Sequence, residues 1–242
     1  MKIENSVIAI TGAGRGMGRA YASCFAKAGA RLSLCARTAA DLESAAQEAV
    51  KRSSLGRDAV LTQILDITDR QGAVQWIRET VRRFGRIDVL INNAGLLGAR
   101  APLYDYPEDV WKSVMDANVN GLFWVTKACL KETMLKQGSG LIVNISSGVG
   151  RVGKPNWGAY AASKFALEGI NQVLANELRE KGIISIAFNP EGTRTKMRAD
   201  AYPQEDPETL KTPEQLAEVL AKFIPRLTIN DSGKSFDYKD IQ

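Results

Sequence analysis

The sequence predicts an α/β fold built on a parallel sheet, and three observations carry that prediction. Short apolar runs recur with almost no polar alternation, the pattern of strands buried on both faces. A segment of helical periodicity separates each run from the next, as parallel pairing requires. No internal repeat, low-complexity tract or Pro/Gly-rich linker interrupts the 242 residues, so 1–242 are expected to form one domain.

The elements follow in order. "SVIAIT" (6–11) reads as the first strand, and a helix opens in the glycine-rich stretch after it and runs to about Gly29. "RLSLCA" (31–36) is the second strand, followed by a helix at Asp41–Val50 whose apolar and alanine positions recur at helical spacing. "AVLTQILD" (59–66) is the third, then a helix from about Asp69 to Phe84. "IDVLINN" (87–93) is the fourth, and a long helical region over roughly 107–136 precedes the fifth, "GLIVNIS" (140–146). Residues 158–181 are helical and lead to the sixth, "IISIAFN" (183–189).

Composition narrows the function. Apolar residues make up 45% and charged residues 24%, ordinary for a soluble globular protein. No apolar run approaches a membrane span, and the N-terminus lacks the long apolar core of a signal peptide, so a cytoplasmic protein without a membrane partner is expected. Cys24, Cys35 and Cys129 share no CxxC spacing; buried thiols are expected, with neither disulfide nor metal site. The chain has no histidine, which excludes Ser-His-Asp hydrolases, Cys-His proteases and HExxH metalloenzymes. Proton transfer must then use Tyr, Lys, Asp, Glu or Cys. The net charge of +5 lies wholly in residues 1–57, which hold nine Lys/Arg against four Asp/Glu. No basic stripe interleaved with aromatics accompanies it, so a small phosphorylated ligand fits better than nucleic acid.

After the first strand comes "TGAGRGMG", Thr11–Gly18, in which Gly12, Gly16 and Gly18 follow T-G-x-x-x-G-x-G. This is neither G-x-G-x-x-G nor the phosphate loop ending in Gly-Lys-Ser/Thr. Physically it serves the same end: glycines turn the backbone tightly, admit a pyrophosphate and aim a helix N-terminus at it. Arg15 and Met17 lie inside the loop.

With "NNAG" (92–95), "NVNG" (118–121), "IVNISS" (142–147) and the Y-x-x-x-K of Tyr160 and Lys164, the chain resembles the single-domain branch of the short-chain dehydrogenase/reductase family. "NWGAYAASKFALEG" and "GTRTKMRADAYPQEDPETLKTP" resemble in particular the YciK-like bacterial oxidoreductases. The resemblance implies a Rossmann-type doubly wound sheet of about seven strands in the order 3-2-1-4-5-6-7, with a substrate loop and lid at about 190–212. It implies that Ser147 holds the substrate oxygen, that Asn118 supports a water relay to Lys164, and that Lys164 also grips the nicotinamide ribose. Asp66 resembles the residue that contacts the adenine, with Ile67 beside it, and Asn93, Ala94 and Gly95 resemble the turn packed on its ribose. Pro190, Thr193 and Thr195 fall where the family binds the carboxamide. The resemblance also implies pairing through the helices at 107–136 and 158–181 into a homo-oligomer, a tetramer or a dimer.

A free phenol has a pKa of about 10, too high for ready proton exchange near neutrality. Four residues along a helix put Lys164 on the face of Tyr160, and a nearby cation is expected to lower the phenol's pKa. Tyr160 is then general acid toward a carbonyl and general base toward an alcohol. At the end of the second strand, "LCARTAADL" has Ala36 where a carboxylate would bind the ribose of NAD, followed by Arg37. Arg37 and Arg15 together favour the 2′-phosphate of NADP(H).

"NPEGTRTKM" (189–197) departs from the family's P-G by placing Glu191 where a glycine stands, so its side chain is expected to enter the substrate pocket or tilt the loop. Leu96, Leu97, Val149, Trp157, Met197 and Tyr202 are expected to wall a largely apolar pocket, with Arg194, Lys196 and Arg198 as candidates to attract an anion. The leading reading is an NADP(H)-dependent carbonyl reductase or alcohol dehydrogenase. A 3-oxoacyl thioester reductase and a catalytically silent NADP(H) sensor are the alternatives.

Overall fold

The computed structural model describes residues 2–242. Seven strands form one parallel sheet: β1 (Val7–Thr11), β2 (Arg31–Ala36), β3 (Val60–Ile64), β4 (Val89–Asn92), β5 (Gly140–Ile145), β6 (Ile183–Asn189) and β7 (Ser235–Asp237). Their order is 3-2-1-4-5-6-7, as expected. The first six match the apolar runs of the sequence to within two residues at either end. β7 has only three residues, all partly exposed, and leaves no readable apolar signal.

The lack of polar alternation has a direct cause. Along β1, Ile8 and Ile10 face one apolar layer while Val7 and Ala9 face the other. The first layer is closed by α1 (Gly16–Lys27) and α2 (Ala39–Arg52) together with α9 (Pro213–Phe223), through Tyr21, Phe25, Leu42, Leu216 and Leu220. The second is closed by α3 (Arg70–Phe84), α5 (Leu122–Cys129) and α7 (Gly158–Leu178), through Trp76, Ile77, Val125, Cys129 and Leu178. Cys35 and Cys129 are buried thiols with raised pKa values; Cys24 is half-buried.

Caps set several boundaries. Asp69 accepts from the amides of Gln71 and Gly72 to start α3, and Gly85, at φ +80°, ends it. Thr212 and Gln215 form a capping box with Pro213 in the first turn of α9, a helix that the sequence reading did not pick out.

The long helix expected over 107–136 is found but is not uniform. It runs as α4 (Glu108–Met115), a π-type segment at Asp116–Gly121, α5, a second π-type segment at Leu130–Met134, and α6 (Leu135–Gln137). Such widened turns recur at functional sites, and the first contains Asn118. A six-residue helix, α8 (Lys196–Ala201), follows β6 within the expected lid. No helix among the described residues is long and apolar enough to cross a membrane.

Candidate active site

The chain changes direction across the sheet between β1 and β4, so the loops beyond their carboxyl ends splay apart there and leave a crevice. Two chambers lie in it. One, of about 640 Å³, is walled by the glycine loop, Ala36 and Arg37 after β2, Asp66 and Ile67 after β3, and Asn93–Gly98 after β4. The other, of about 540 Å³, is walled by Ser147, Tyr160, Lys164 and the segment Asn189–Tyr202. Both include Asn93, Gly95, Thr195 and Met197, so they form one trough.

Asn93 ties the glycine loop to the end of β4. Its Nδ2 donates to the carbonyls of Thr11 and Gly12 at 3.0 and 3.1 Å, and its amide donates to Thr11 Oγ1 at 3.0 Å. Gly16 holds φ +55°, in the left-handed region that favours glycine. Gly12, Arg15, Gly16, Met17, Arg37, Asp66, Ile67, Ala94 and Gly95 all line the first chamber. Gly18 does not: a Cβ there would stand 2.2 Å from the carbonyl oxygen of Gly12. Its missing side chain lets α1 pack on its own entry loop. Arg37 leans on Asp66, with Nη1 3.6 Å from Oδ2, and both are half-exposed.

In the second chamber, Tyr160 and Lys164 share one face of α7, with Lys164 Nζ 5.5 Å from the phenol ring centre. The ammonium donates to the Ile145 carbonyl at 2.7 Å. Burial pushes the Lys164 pKa down to about 8, against the raising effect of Glu168. Burial also pushes the Tyr160 phenol up to about 12, against a hydrogen bond with Ser147 that lowers it. The net shift is thus opposite to the lowering expected from the ammonium: burial dominates, and only the Ser147 hydrogen bond opposes it.

Asn118 Oδ1 accepts from the Leu96 amide at 2.7 Å, while its Nδ2 donates to the Leu96 carbonyl and to Ser163 Oγ at 2.9 and 3.0 Å. Its amide is thus spent on clamping the segment after β4 to α7. A Cβ on Gly95 would sit 3.3 Å from Asn118 Oδ1 and 3.9 Å from Lys164 Nζ, so both side chains converge there.

The wall expected to be largely apolar carries aromatic rings. Trp157 lies 5.6 Å from Tyr160 and 5.7 Å from Tyr202, centre to centre, and packs with Val149 and Leu97. Leu96 is a correction: it packs instead toward Tyr106 and Val114 and lines the first chamber. Arg100, which no motif marked, covers Trp157 with its guanidinium 4.0 Å from the ring centre.

The basic residues of 194–198 are neutralised by carboxylates that follow them in the chain. Arg194 pairs with Glu208 at 2.9 Å, Lys196 with Asp200 at 2.9 Å, and Arg198 with both oxygens of Glu205 at 2.6 Å while stacking on Tyr202. Thr193 bridges to Lys211, closing the base of this loop, and Thr195 caps α8 by accepting from the Arg198 amide at 3.2 Å.

Glu191 lines the second chamber, and its backbone keeps the conformation that a glycine would adopt. It holds φ +55° while its amide donates to Asn189 Oδ1 at 3.0 Å. The loop is strained rather than tilted, and the carboxylate partly offsets the lowering of Lys211's pKa by burial.

Comparison with known proteins agrees with this fold. Residues 6–206 match the family model described as short chain dehydrogenase. The chain is 37% identical to an uncharacterized oxidoreductase, YciK, of Escherichia coli over 97% of its own length and 92% of that protein's. It is 35% identical to a 3-oxoacyl-acyl-carrier-protein reductase of Thermotoga maritima, over 93% of this chain and 85% of that one. A short chain dehydrogenase from Shigella flexneri, crystallised with NADP, superposes with a TM-score of 0.88 at 37% identity, covering 98% of this chain and 99% of that one.

A side chain in the left-handed region costs about 1–2 kcal/mol, while glycine's extra freedom in the unfolded chain returns part of any gain. Glu191→Gly is therefore expected to raise stability by up to about 1 kcal/mol. Urea unfolding at unchanged m-value checks this, and a less stable variant would show that the Glu191 side chain makes a net favourable contact.

Proposed function

The chain belongs to the short chain dehydrogenase family, and on that premise we propose that it exchanges a hydride between NADP(H) and a carbonyl or secondary alcohol. Tyr160 is the general acid and base. The observation that carries this reading is the convergence of Ser147, Tyr160 and Lys164 on a trough that also receives the glycine loop.

The residues present fit a nicotinamide dinucleotide. Asn93 Oδ1 is buried without a partner at the junction of the two chambers, an acceptor suited to a ribose hydroxyl. The first amides of α1 have no carbonyl partners within the helix and lie beside Gly16, as a pyrophosphate requires. Arg15 and Arg37 stand where the 2′-phosphate of NADP(H) needs cations, and no carboxylate ends β2. The crystallised NADP complex of the Shigella relative supports the same choice. Pro190, Thr193 and Thr195 flank the nicotinamide end, and residues 190–212 act as the lid. Bound there, NADPH supplies the hydride.

The remaining chemistry is the chain's own. With a pKa of about 12, Tyr160 keeps its proton at neutral pH and is a donor to a carbonyl oxygen. Ser147, hydrogen-bonded to the phenol, orients that oxygen. Lys164 stays an ammonium below about pH 8 and stabilises the phenolate formed when the proton leaves. Leu97, Val149, Trp157 and Met197 supply apolar contact, and Glu191 is a polar group set among them.

Phe165, Gly169 and Val173 form an exposed stripe at every fourth residue of α7, and Phe123 is exposed on α5. We assign these faces to self-association as a tetramer or dimer. Sedimentation at micromolar concentration is expected to show more than the 26.4 kDa species; a monomer alone overturns it.

Turnover is expected to fall by several orders of magnitude in Tyr160→Phe while NADPH affinity stays close to wild type, since the ring remains and the donor is lost. Reduction of a panel of ketones, diketones, quinones and acyl thioesters, followed by NADPH absorbance, reads this and sorts substrate classes. In wild type, kcat/KM for reduction should decline above about pH 8, as Lys164 loses its proton. Near-normal turnover by Tyr160→Phe removes it from the mechanism.

Arg37→Asp is expected to weaken NADPH binding at least tenfold and improve NADH binding. Charge-assisted hydrogen bonds contribute about 1.5–3 kcal/mol each, and tenfold corresponds to about 1.4 kcal/mol. Dissociation constants for both cofactors check it. Wild type that binds NADH as well as NADPH would refute the assignment of Arg37.

A further inference from the structure

One turn beyond Lys164, α7 carries a carboxylate that the reaction does not use. Glu168 is 6% exposed and Lys164 5%, opposite charges at i,i+4 on one buried helix face without direct ion-pair contact. Glu168 Oε1 accepts from Ser146 Oγ at 2.5 Å, and Oε2 accepts from Ser235 Oγ. Ser146 immediately precedes Ser147. Arg151 Nε lies 3.9 Å from Oε1 and the same guanidinium pairs with Asp237, whose Oδ1 also accepts from Asn189 Nδ2 at 3.0 Å. Asn189 in turn fixes the amide of Glu191. One buried carboxylate therefore connects the ends of β5, β6 and β7 to the helix bearing Tyr160 and Lys164.

We infer that Glu168 is a positioning residue: it is the counter-charge that keeps buried Lys164 an ammonium, and through Ser146 it anchors the strand end that presents Ser147. This rests on the roles given above to Tyr160 and Lys164. The groups that face Lys164 from other elements are neutral: the Ile145 carbonyl at the end of β5, the backbone of Gly150, Gly95 after β4, and Asn118. Tyr160 on its own helix is protonated. Glu168 is the one charged side chain that raises the Lys164 pKa against burial. Arg151, Asp237 and Glu191 lie beyond it.

Glu168→Gln separates charge from shape, because the amide keeps an acceptor for Ser146 and offers a donor to Ser235. The probe reaction is NADPH-dependent reduction of phenanthrenequinone, with kcat/KM measured from pH 6 to 10. A second readout, needing no substrate, is the pH dependence of the NADPH dissociation constant by tryptophan fluorescence. Loss of the counter-charge should move the alkaline limb of both to lower pH by about one unit or more, with values near wild type at pH 6. A limb that stays in place, or a uniform loss at every pH, overturns the proposal and leaves Glu168 structural. Arg151→Gln, at a half-exposed position, removes a competing cation and should move the limb the opposite way by less. It decides the matter if Glu168→Gln does not accumulate folded, since an unmoved limb, or one moved to lower pH, overturns the proposal. Tyr160→Phe, assayed alongside, tests the underlying reading separately: normal turnover there sinks the Tyr160 mechanism whatever the limbs do.

Discussion

Parallel strands cannot be joined by tight turns, so each returns through a crossover that covers one face of the sheet. In this chain that requirement buries both faces of β1, β4 and β5 completely and leaves the trough to form beyond the strand ends. Because all seven strands run the same way, their carboxyl ends share one edge. The reversal between β1 and β4 opens that edge into a trough. The glycine loop, Asn93, Ser147 and the Glu191 loop are neighbours for this reason, although they are spread over most of the chain.

Burial of the sheet also sets the chemistry at its edge. Lys164 and Tyr160 sit where water is scarce, and that scarcity acts on both in the direction of neutrality, lowering one pKa and raising the other. The site tolerates a buried ammonium because the Ile145 carbonyl accepts from it and Glu168 opposes it in charge. Polar groups inside the sheet are handled in the same way. Asn92, Asn144, Asn171 and Ser185 form a buried hydrogen-bonded chain that runs from β4 through β5 to α7 and β6, ending on the carbonyl of Gly233. Such a chain is stabilising only when its members are satisfied. Asn92 Oδ1 is the one side-chain atom in it left without a partner.

Glu191 shows strain kept at a functional edge. Its left-handed backbone is stabilised by Asn189, which Asp237 of the short β7 holds in turn. A three-residue strand with little apolar burial thus fixes the Glu191 loop at the wall of the second chamber. Beyond it, Arg194, Lys196 and Arg198 are each paired with a carboxylate, so the second chamber meets aromatic surface and Glu191 rather than an unpaired cationic run.

The sequence by itself determined the parallel sheet, its strand positions and the residues of the glycine loop that wall the first chamber. These rest on local signals: unbroken apolar runs and glycines at fixed spacing. The strand order was legible through resemblance to a family, because no short-range pattern encodes it. Tertiary structure alone decided the rest. That Gly18 serves packing, that Leu96 turns away from the pocket, that Arg100 covers Trp157 and that Glu168 stands behind Lys164 depend on segments far apart in the chain meeting in space. The sign of the Tyr160 shift belongs with them. Helical spacing reveals that a cation is near, but only the packed protein shows how much water has been removed, and desolvation is the larger effect.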